Sequence, residues 1–245
     1  MKYVFIVGLP GSCWGWPSTY MKVASNLADT SNEQPWRVNN NQPCLASHET
    51  NVFAGPYHEI GEQFDALSLY TSKQAIFDEI DRAYRPTDQH LIRFVQCHWF
   101  ASQLDWIAEN LPEVDILMSL RNPEMCYNAW HASGGWDIEY PSYKWYADSQ
   151  NMWRQNQIDH RFLQNFVNKH ELTVIPGWSA DWFDWHWPEA TPYIDKSKFP
   201  GKISSAVAKH GKPAVAIGWD SLNWALYRGR HSAPIVIDQS ETKSR

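Results

Sequence analysis

The sequence predicts an α/β fold: a mainly parallel sheet flanked by helices, with an irregular, tryptophan-rich portion toward the carboxyl end. Three observations lead there. Short apolar runs at residues 3–7, 91–95 and 114–120 lack alternation, as strands covered on both faces do. Segments of helical period separate them. The strand–helix–strand spacing also suits the right-handed crossovers that parallel neighbours require. At 245 residues, with no repeat or linker, the chain suits one domain over 1–245 with a substantial core.

Taken in order, the first strand covers 3–7 and runs into a turn-rich loop at 8–19. Ser18 is a candidate N-cap there, with Met21, Val23, Ala24 and Leu27 near helical spacing behind it. Residues 29–60 are rich in Asn, Pro and Gly and show no period, so an irregular excursion is expected. An amphipathic helix over 73–84 carries Ile76, Phe77, Ile80 and Ala83 on one stripe. A strand at 90–95 leads to a helix over 100–111, with Leu104, Ile107, Ala108 and Leu111 facing inward and Pro112 closing it. The strand at 115–120 is followed by Pro123, at the first turn of another helix. A long helix is expected over 143–169, with Trp145, Met152, Trp153, Ile158, Phe162 and Phe166 toward the core. A strand at 172–175 follows, and then a short helix near 204–210 and strand-like runs at 214–217 and 235–237, with no period to organise them.

Composition narrows the function. A net charge of −6 argues against a general nucleic-acid binder. The four cysteines, Cys13, Cys44, Cys97 and Cys126, show neither a CxxC pair nor metal-ligand spacing, and read as reduced thiols of a cytoplasmic protein. The apolar start is too short for a signal peptide or a membrane span. Fifteen tryptophans, clustered at Trp178, Trp182, Trp185 and Trp187, suit core and lid packing, or a platform for stacking rings.

The chemistry-bearing residues fall at strand ends. His98 and Arg121 each sit just past the carboxyl end of a strand, the edge where open parallel sheets bind ligands. The loop after the first strand holds Gly8, Gly11 and Gly15 with Ser12, Ser18 and Thr19, which suits backbone capture of a phosphate-like anion before a helix. The plainer alternative is a turn that simply needs glycine. The ATPase pattern G-x-x-x-x-G-K-[ST] is absent, and no Lys or Arg lies between Lys2 and Lys22. No ligand set for a metal is found; Asp181, Asp184 and His186 read as a solvated loop.

Together the loop at 8–19, FVQCHWFASQL at 94–104 and LMSLRNPEMCYNAWHASGGW at 117–136 resemble the cytosolic-type sulfotransferase family. The resemblance covers roughly the first 175 residues and implies a three-layer P-loop-type sheet, mainly parallel, flanked by helices. In that family the first loop carries a lysine or arginine and binds the 5′-phosphosulfate of the donor, 3′-phosphoadenosine 5′-phosphosulfate (PAPS). A second strand leads to a catalytic histidine, matched here by His98. An Arg-Asn pair, with a serine eight positions after the arginine, binds the donor's 3′-phosphate; Arg121 matches the arginine. The serine is replaced by Ala129, with Asn128 as the neighbouring stand-in. The first loop holds no cation, and its register is open between Gly11 and Gly15, which leaves Lys22 as a stand-in. Near the carboxyl end, Arg228, Gly229 and Arg230 form a loose counterpart of the family's basic-glycine motif that closes over the nucleotide.

The resemblance therefore implies that Gly11, Ser12, Cys13, Trp14, Gly15, Ser18, Thr19, Lys22, Arg121, Asn128, Arg228 and Arg230 contact the donor, without a metal. His98 would act as general base toward a carbohydrate or small-molecule hydroxyl, in a pocket walled by Trp130, His131, Trp136 and Trp145. Two other readings stay open: a small-molecule or nucleotide kinase on the same scaffold, and a catalytically inactive nucleotide- or glycan-binding protein. No nucleic-acid or membrane partner is expected.

Overall fold

The computed structural model describes residues 2–12, 38–39, 42–43, 53–54, 67–68, 70–83, 92–132, 148–176 and 223–230. Strand β1 (Lys2–Gly8) is largely apolar, and Val4, Phe5, Ile6 and Val7 are all fully buried. A strand buried on both faces belongs inside a sheet, with neighbours on both sides. β1 pairs in parallel with β5 (Ile92–Gln96) on one side and β6 (Val114–Ser119) on the other.

The remaining strands are short. β2 (Val38–Asn39) and β3 (Gln42–Pro43) pair only with each other, antiparallel. β4 (Phe53–Ala54) adds to β5 in parallel. β7 (Val174–Pro176) and β8 (Asn223–Tyr227) complete a mixed six-stranded sheet of order β4-β5-β1-β6-β8-β7, in which β8 runs antiparallel to both β6 and β7. The class is mixed α/β, as the sequence predicts. Four strands depart from expectation. β2, β3 and β4 form within the supposed excursion, β4 joining the main sheet, and β8 lies in a region the sequence left without period.

Helix α1 (Lys73–Ala83) starts where the Ser72 hydroxyl accepts the Ala75 N–H at 3.1 Å, and buries Ile76, Phe77 and Ile80. The expected helix over 100–111 divides into a 3₁₀ segment, His98–Gln103, and α2 (Leu104–Asn110), with the Leu111 N–H bonded to the Ile107 carbonyl before Pro112 ends it. Phe100 of the 3₁₀ segment stacks on Phe5 with centroids 4.6 Å apart. Pro123 is the first residue of α3 (Pro123–Ala132), and the Asn122 side chain caps it by accepting the Glu124 and Met125 N–H groups.

Helix α4 (Ser149–Lys169) is capped by Asp148, whose carboxylate accepts the Gln150 and Asn151 N–H groups. It ends with Glu171 at φ 49°, the Leu172 N–H bonded to the Val167 carbonyl and the Glu171 N–H to that of Asn168. This is a Schellman stop made without glycine. Its buried stripe is Met152, Asn156, Asp159, Leu163, Phe166 and Val167. Of the residues expected in the core, Met152 and Phe166 are buried, but Trp153, Ile158 and Phe162 face outward at 37, 37 and 41 % exposure. Two polar residues occupy the inner stripe in their place. The expected helical residues 143–147, the helix behind Ser18, the helix near 204–210 and the runs at 214–217 and 235–237 lie outside the described residues.

At the start of β6, the fully buried Asp115 joins three segments. It pairs with Lys2 Nζ at 3.1 Å, accepts the Gly229 N–H at 2.9 Å and lies 3.4 Å from Arg228 Nη1. Gly229 is there by steric need. A Cβ on it would stand 2.5 Å from the Pro112 carbonyl oxygen and 2.6 Å from that of Val114, backbone atoms that cannot swing aside. Gly229→Ala is therefore expected to cost about 2–4 kcal/mol, read as a lower urea midpoint at unchanged slope. A midpoint within about 0.5 kcal/mol of the parent would refute this packing account.

Candidate functional site at the carboxyl edge of the sheet

Because β5, β1 and β6 are parallel, their chains all leave the sheet at one edge. Ile6 lies opposite Gln96, and Gly8 opposite Ser119. The loop after β1, the start of the 3₁₀ segment and the segment 120–122 are thus side by side, with β1 in the middle. His98 opens the 3₁₀ segment two residues past Gln96, and Arg121 follows Ser119 by two residues.

The first loop is a tight turn. The Ser12 N–H bonds back to the Leu9 carbonyl at 2.9 Å, and Gly11 has φ 81°. Proline at the second position and a left-handed glycine at the third are what a type II turn asks for. Side chains from the end of β6 then clamp it. Arg121 Nη1 donates to the Gly11 carbonyl at 2.7 Å, and the Ser119 hydroxyl to the Ser12 carbonyl at 2.9 Å. Arg121 is only 2 % exposed, so its charge is held inside the protein against the loop. The Ser12 hydroxyl is buried as well and finds no hydrogen-bond partner among the described residues. A buried cation beside an unused hydroxyl is a polar environment suited to an anion.

The other expected donor contacts divide into groups. Cys13, Trp14, Gly15, Ser18, Thr19 and Lys22 lie outside the described residues, as do Trp136 and Trp145 of the expected acceptor wall. On α3, Ala129 is buried and its neighbour Asn128 is exposed. His131 is exposed near the end of α3 and stacks loosely on Tyr127 at 6.3 Å; Trp130 precedes it on that helix. Arg228 and Arg230 need correction. β8 runs antiparallel to β6, so the residues after Tyr227 emerge at the amino edge, beside Asp115. The span of β6 separates them from Arg121, roughly 20 Å at the usual rise per strand residue. They belong to the opposite end of the sheet and cannot close over a group held by Arg121 and the first loop.

Two buried polar residues escaped the sequence reading. On α4, Asn156 is fully buried and neither of its amide atoms is bonded among the described residues. One turn on, Asp159 is 5 % exposed and accepts a bond from Gln155 Nε2 at 2.8 Å. Burial pushes its carboxyl up to about 7 from its ordinary 3.8, against the smaller lowering effect of the Gln155 bond. The available signal was the spacing: 152, 156, 159, 163 and 166 recur at four and three residues, a cleaner helical stripe than the one drawn through the larger apolar residues.

Cys97 and Cys126 are buried and outside any disulfide, and the Cys126 thiol donates to the Arg121 carbonyl at 3.6 Å. Among the described residues, no group of three His, Cys, Asp or Glu side chains is placed to hold a metal ion, and no helix is long and apolar enough to cross a membrane. No protein-family model, curated protein or solved structure matches the chain.

Asp159 gives the fold a pH dependence of definite sign. Its proton is held more tightly folded than unfolded, so its contribution is complete below about pH 3.8 and is lost as pH rises toward about 7. At about 1.4 kcal/mol per pH unit the loss approaches roughly 4 kcal/mol. Asp159→Asn should match the parent near pH 4 and exceed it increasingly up to pH 8, measured by urea denaturation across pH. Parallel pH profiles for the two proteins would contradict the burial of this carboxyl.

Proposed function

We propose that the chain is a sulfotransferase that moves a sulfuryl group from PAPS to a hydroxyl of a carbohydrate or small-molecule acceptor, on a P-loop-type scaffold. One observation carries the reading: the Arg121 guanidinium, the counterpart of the arginine for the 3′-phosphate, is held against the β1 loop at the carboxyl edge. The parallel placement of His98 and Arg121 on either side of β1 supports it further, as does the unused Ser12 hydroxyl.

Bound PAPS would supply an activated sulfuryl group on a phosphate leaving group. The chain's own part is alignment and charge. Arg121 presents a planar fork of donors that suits a phosphate oxygen pair, and its bond to Gly11 also sets the loop's position. The Ser12 hydroxyl adds a donor on the loop side. His98, as a neutral imidazole, accepts the acceptor hydroxyl's proton, an effect typically of about 10²–10⁴-fold. Ala129 in the serine position leaves the phosphate one contact fewer, so Arg121 carries more of the affinity than its family counterpart. Arg228 and Arg230 take no part.

Calorimetric titration with adenosine 3′,5′-bisphosphate, set against ATP with Mg²⁺, tests the reading. The bisphosphate should bind without metal, and His98→Ala should keep that affinity while abolishing transfer from labelled PAPS. Arg121→Ala should weaken binding by roughly 2–5 kcal/mol. Ser119→Ala, which loosens the same loop but keeps the charge, should cost only about 1 kcal/mol. A preference for ATP with Mg²⁺ would move the chain to the kinase reading, and binding of neither nucleotide would overturn a donor site here.

A further inference from the structure

A cavity lies where α3 meets the first turns of α4. It measures about 350 Å³ and is lined by Tyr127, Ser149, Gln150, Trp153 and Arg154. That volume is at the lower end of the range for small-molecule sites. Its walls are unusual for an open surface. Tyr127 and Trp153 meet at 76° with centroids 5.4 Å apart, so their rings form a corner rather than a stack. Trp153 is 37 % exposed, on the outer side of a helix whose inner side carries Asn156 and Asp159. His131 also lies near Tyr127, with ring centroids 6.3 Å apart.

A corner of two aromatic rings takes a third flat ring face-on to one wall and edge-on to the other, both favoured arrangements. The polar groups decide what that ring carries. Arg154 is exposed and makes no hydrogen bond or ion pair among the described residues, so its guanidinium is open to a ligand. The first amides of α4 are already taken by the Asp148 carboxylate, which bonds the Gln150 and Asn151 N–H groups. An anionic group is therefore repelled from the capped end and drawn to Arg154, a turn further along the helix. Ser149 and Gln150 remain on the capped side to bond a neutral polar substituent.

We infer that the Tyr127–Trp153 corner, with Arg154, binds a planar aromatic carboxylate. This site is independent of the donor reading: it needs neither nucleotide nor His98, and it uses none of the residues at the carboxyl edge. Its ligand is held by ring contact at Trp153 and by charge at Arg154, two contributions that can be removed separately.

The probe is 2-naphthoate, with uncharged 2-naphthylmethanol as its partner, titrated calorimetrically into the full chain without nucleotide. Saturable binding of 2-naphthoate is expected, tighter than that of the alcohol. Arg154→Gln should weaken the carboxylate by roughly three- to tenfold and leave the alcohol unchanged, as loss of one exposed charge contact would. Trp153→Ala should weaken both ligands, and Trp153→Phe should restore most of the loss, with circular dichroism confirming that each variant is folded. Absence of saturable binding overturns the assignment, as does affinity that survives Arg154→Gln and Trp153→Ala unchanged. These outcomes bear on this cavity alone, since bisphosphate binding is measured separately.

Discussion

The position of β1 between two parallel neighbours fixes the geometry at both edges of the sheet. Apolar burial alone would hold β1 in the interior without fixing its register, since Val4 to Val7 are apolar on both faces. Register is instead specified at the two ends. At the amino end Lys2 meets the fully buried Asp115, and at the carboxyl end Arg121 and Ser119 seize the carbonyls of Gly11 and Ser12. Contacts of this kind contribute little net stability, because desolvation offsets the attraction. Their effect is on the alternatives: a slip by one residue would turn every side chain to the other face and leave a buried carboxylate and guanidinium unmatched.

The two ends also separate the charges into different tasks. The amino edge gathers Lys2, Asp115, Arg228 and the close approach of Gly229, a knot that fastens β8 onto β6. The carboxyl edge gathers a cation against a neutral turn. The Arg121 guanidinium donates to the Gly11 carbonyl and so helps to set the position of the turn. Two basic segments, Arg121 with Asn122 and Arg228 with Arg230, thus stand at opposite ends of the sheet.

The central strands, α1, and the proline that opens α3 were legible because each is specified locally. Continuous apolar runs mark β1, β5 and β6, a 3.6-residue stripe marks α1, and Pro123 suits a first helical turn. What escaped is specified by tertiary contacts. β4 is two residues long and is a strand only because Val95 and Gln96 offer an edge. β8 reverses direction, and that reversal alone carries Arg228 away from Arg121; no local pattern in NWALY states it. At the site, sequence spacing located His98 and Arg121 at strand ends, but it could not show the loop clamped from β6, since the bonded residues lie over a hundred positions apart.

Helix α4 departs from the usual rule along its length. Toward its carboxyl end Leu163, Phe166 and Val167 are buried while Phe162 is exposed, and Phe166 meets Tyr227 with centroids 5.3 Å apart, next to the amino edge. Toward its amino end Met152 is buried together with the polar Asn156 and Asp159, while Trp153 and Ile158 lie outside. Leaving a buried amide unbonded costs roughly 1–3 kcal/mol, and exposing large apolar side chains forgoes roughly as much again. Exchanging the two faces would stabilise the helix without changing its composition. Departures from local consistency gather where a chain does something other than hold itself together. The buried Asn156 and Asp159 follow closely on Trp153, which meets Tyr127 of α3, the helix that grows directly out of Arg121, whereas Phe166 anchors the other end of α4 beside β8. The polar residues of the inner stripe are thus placed toward the end of the helix that carries the aromatic corner, and its apolar residues toward the end where Asp115 ties the sheet together.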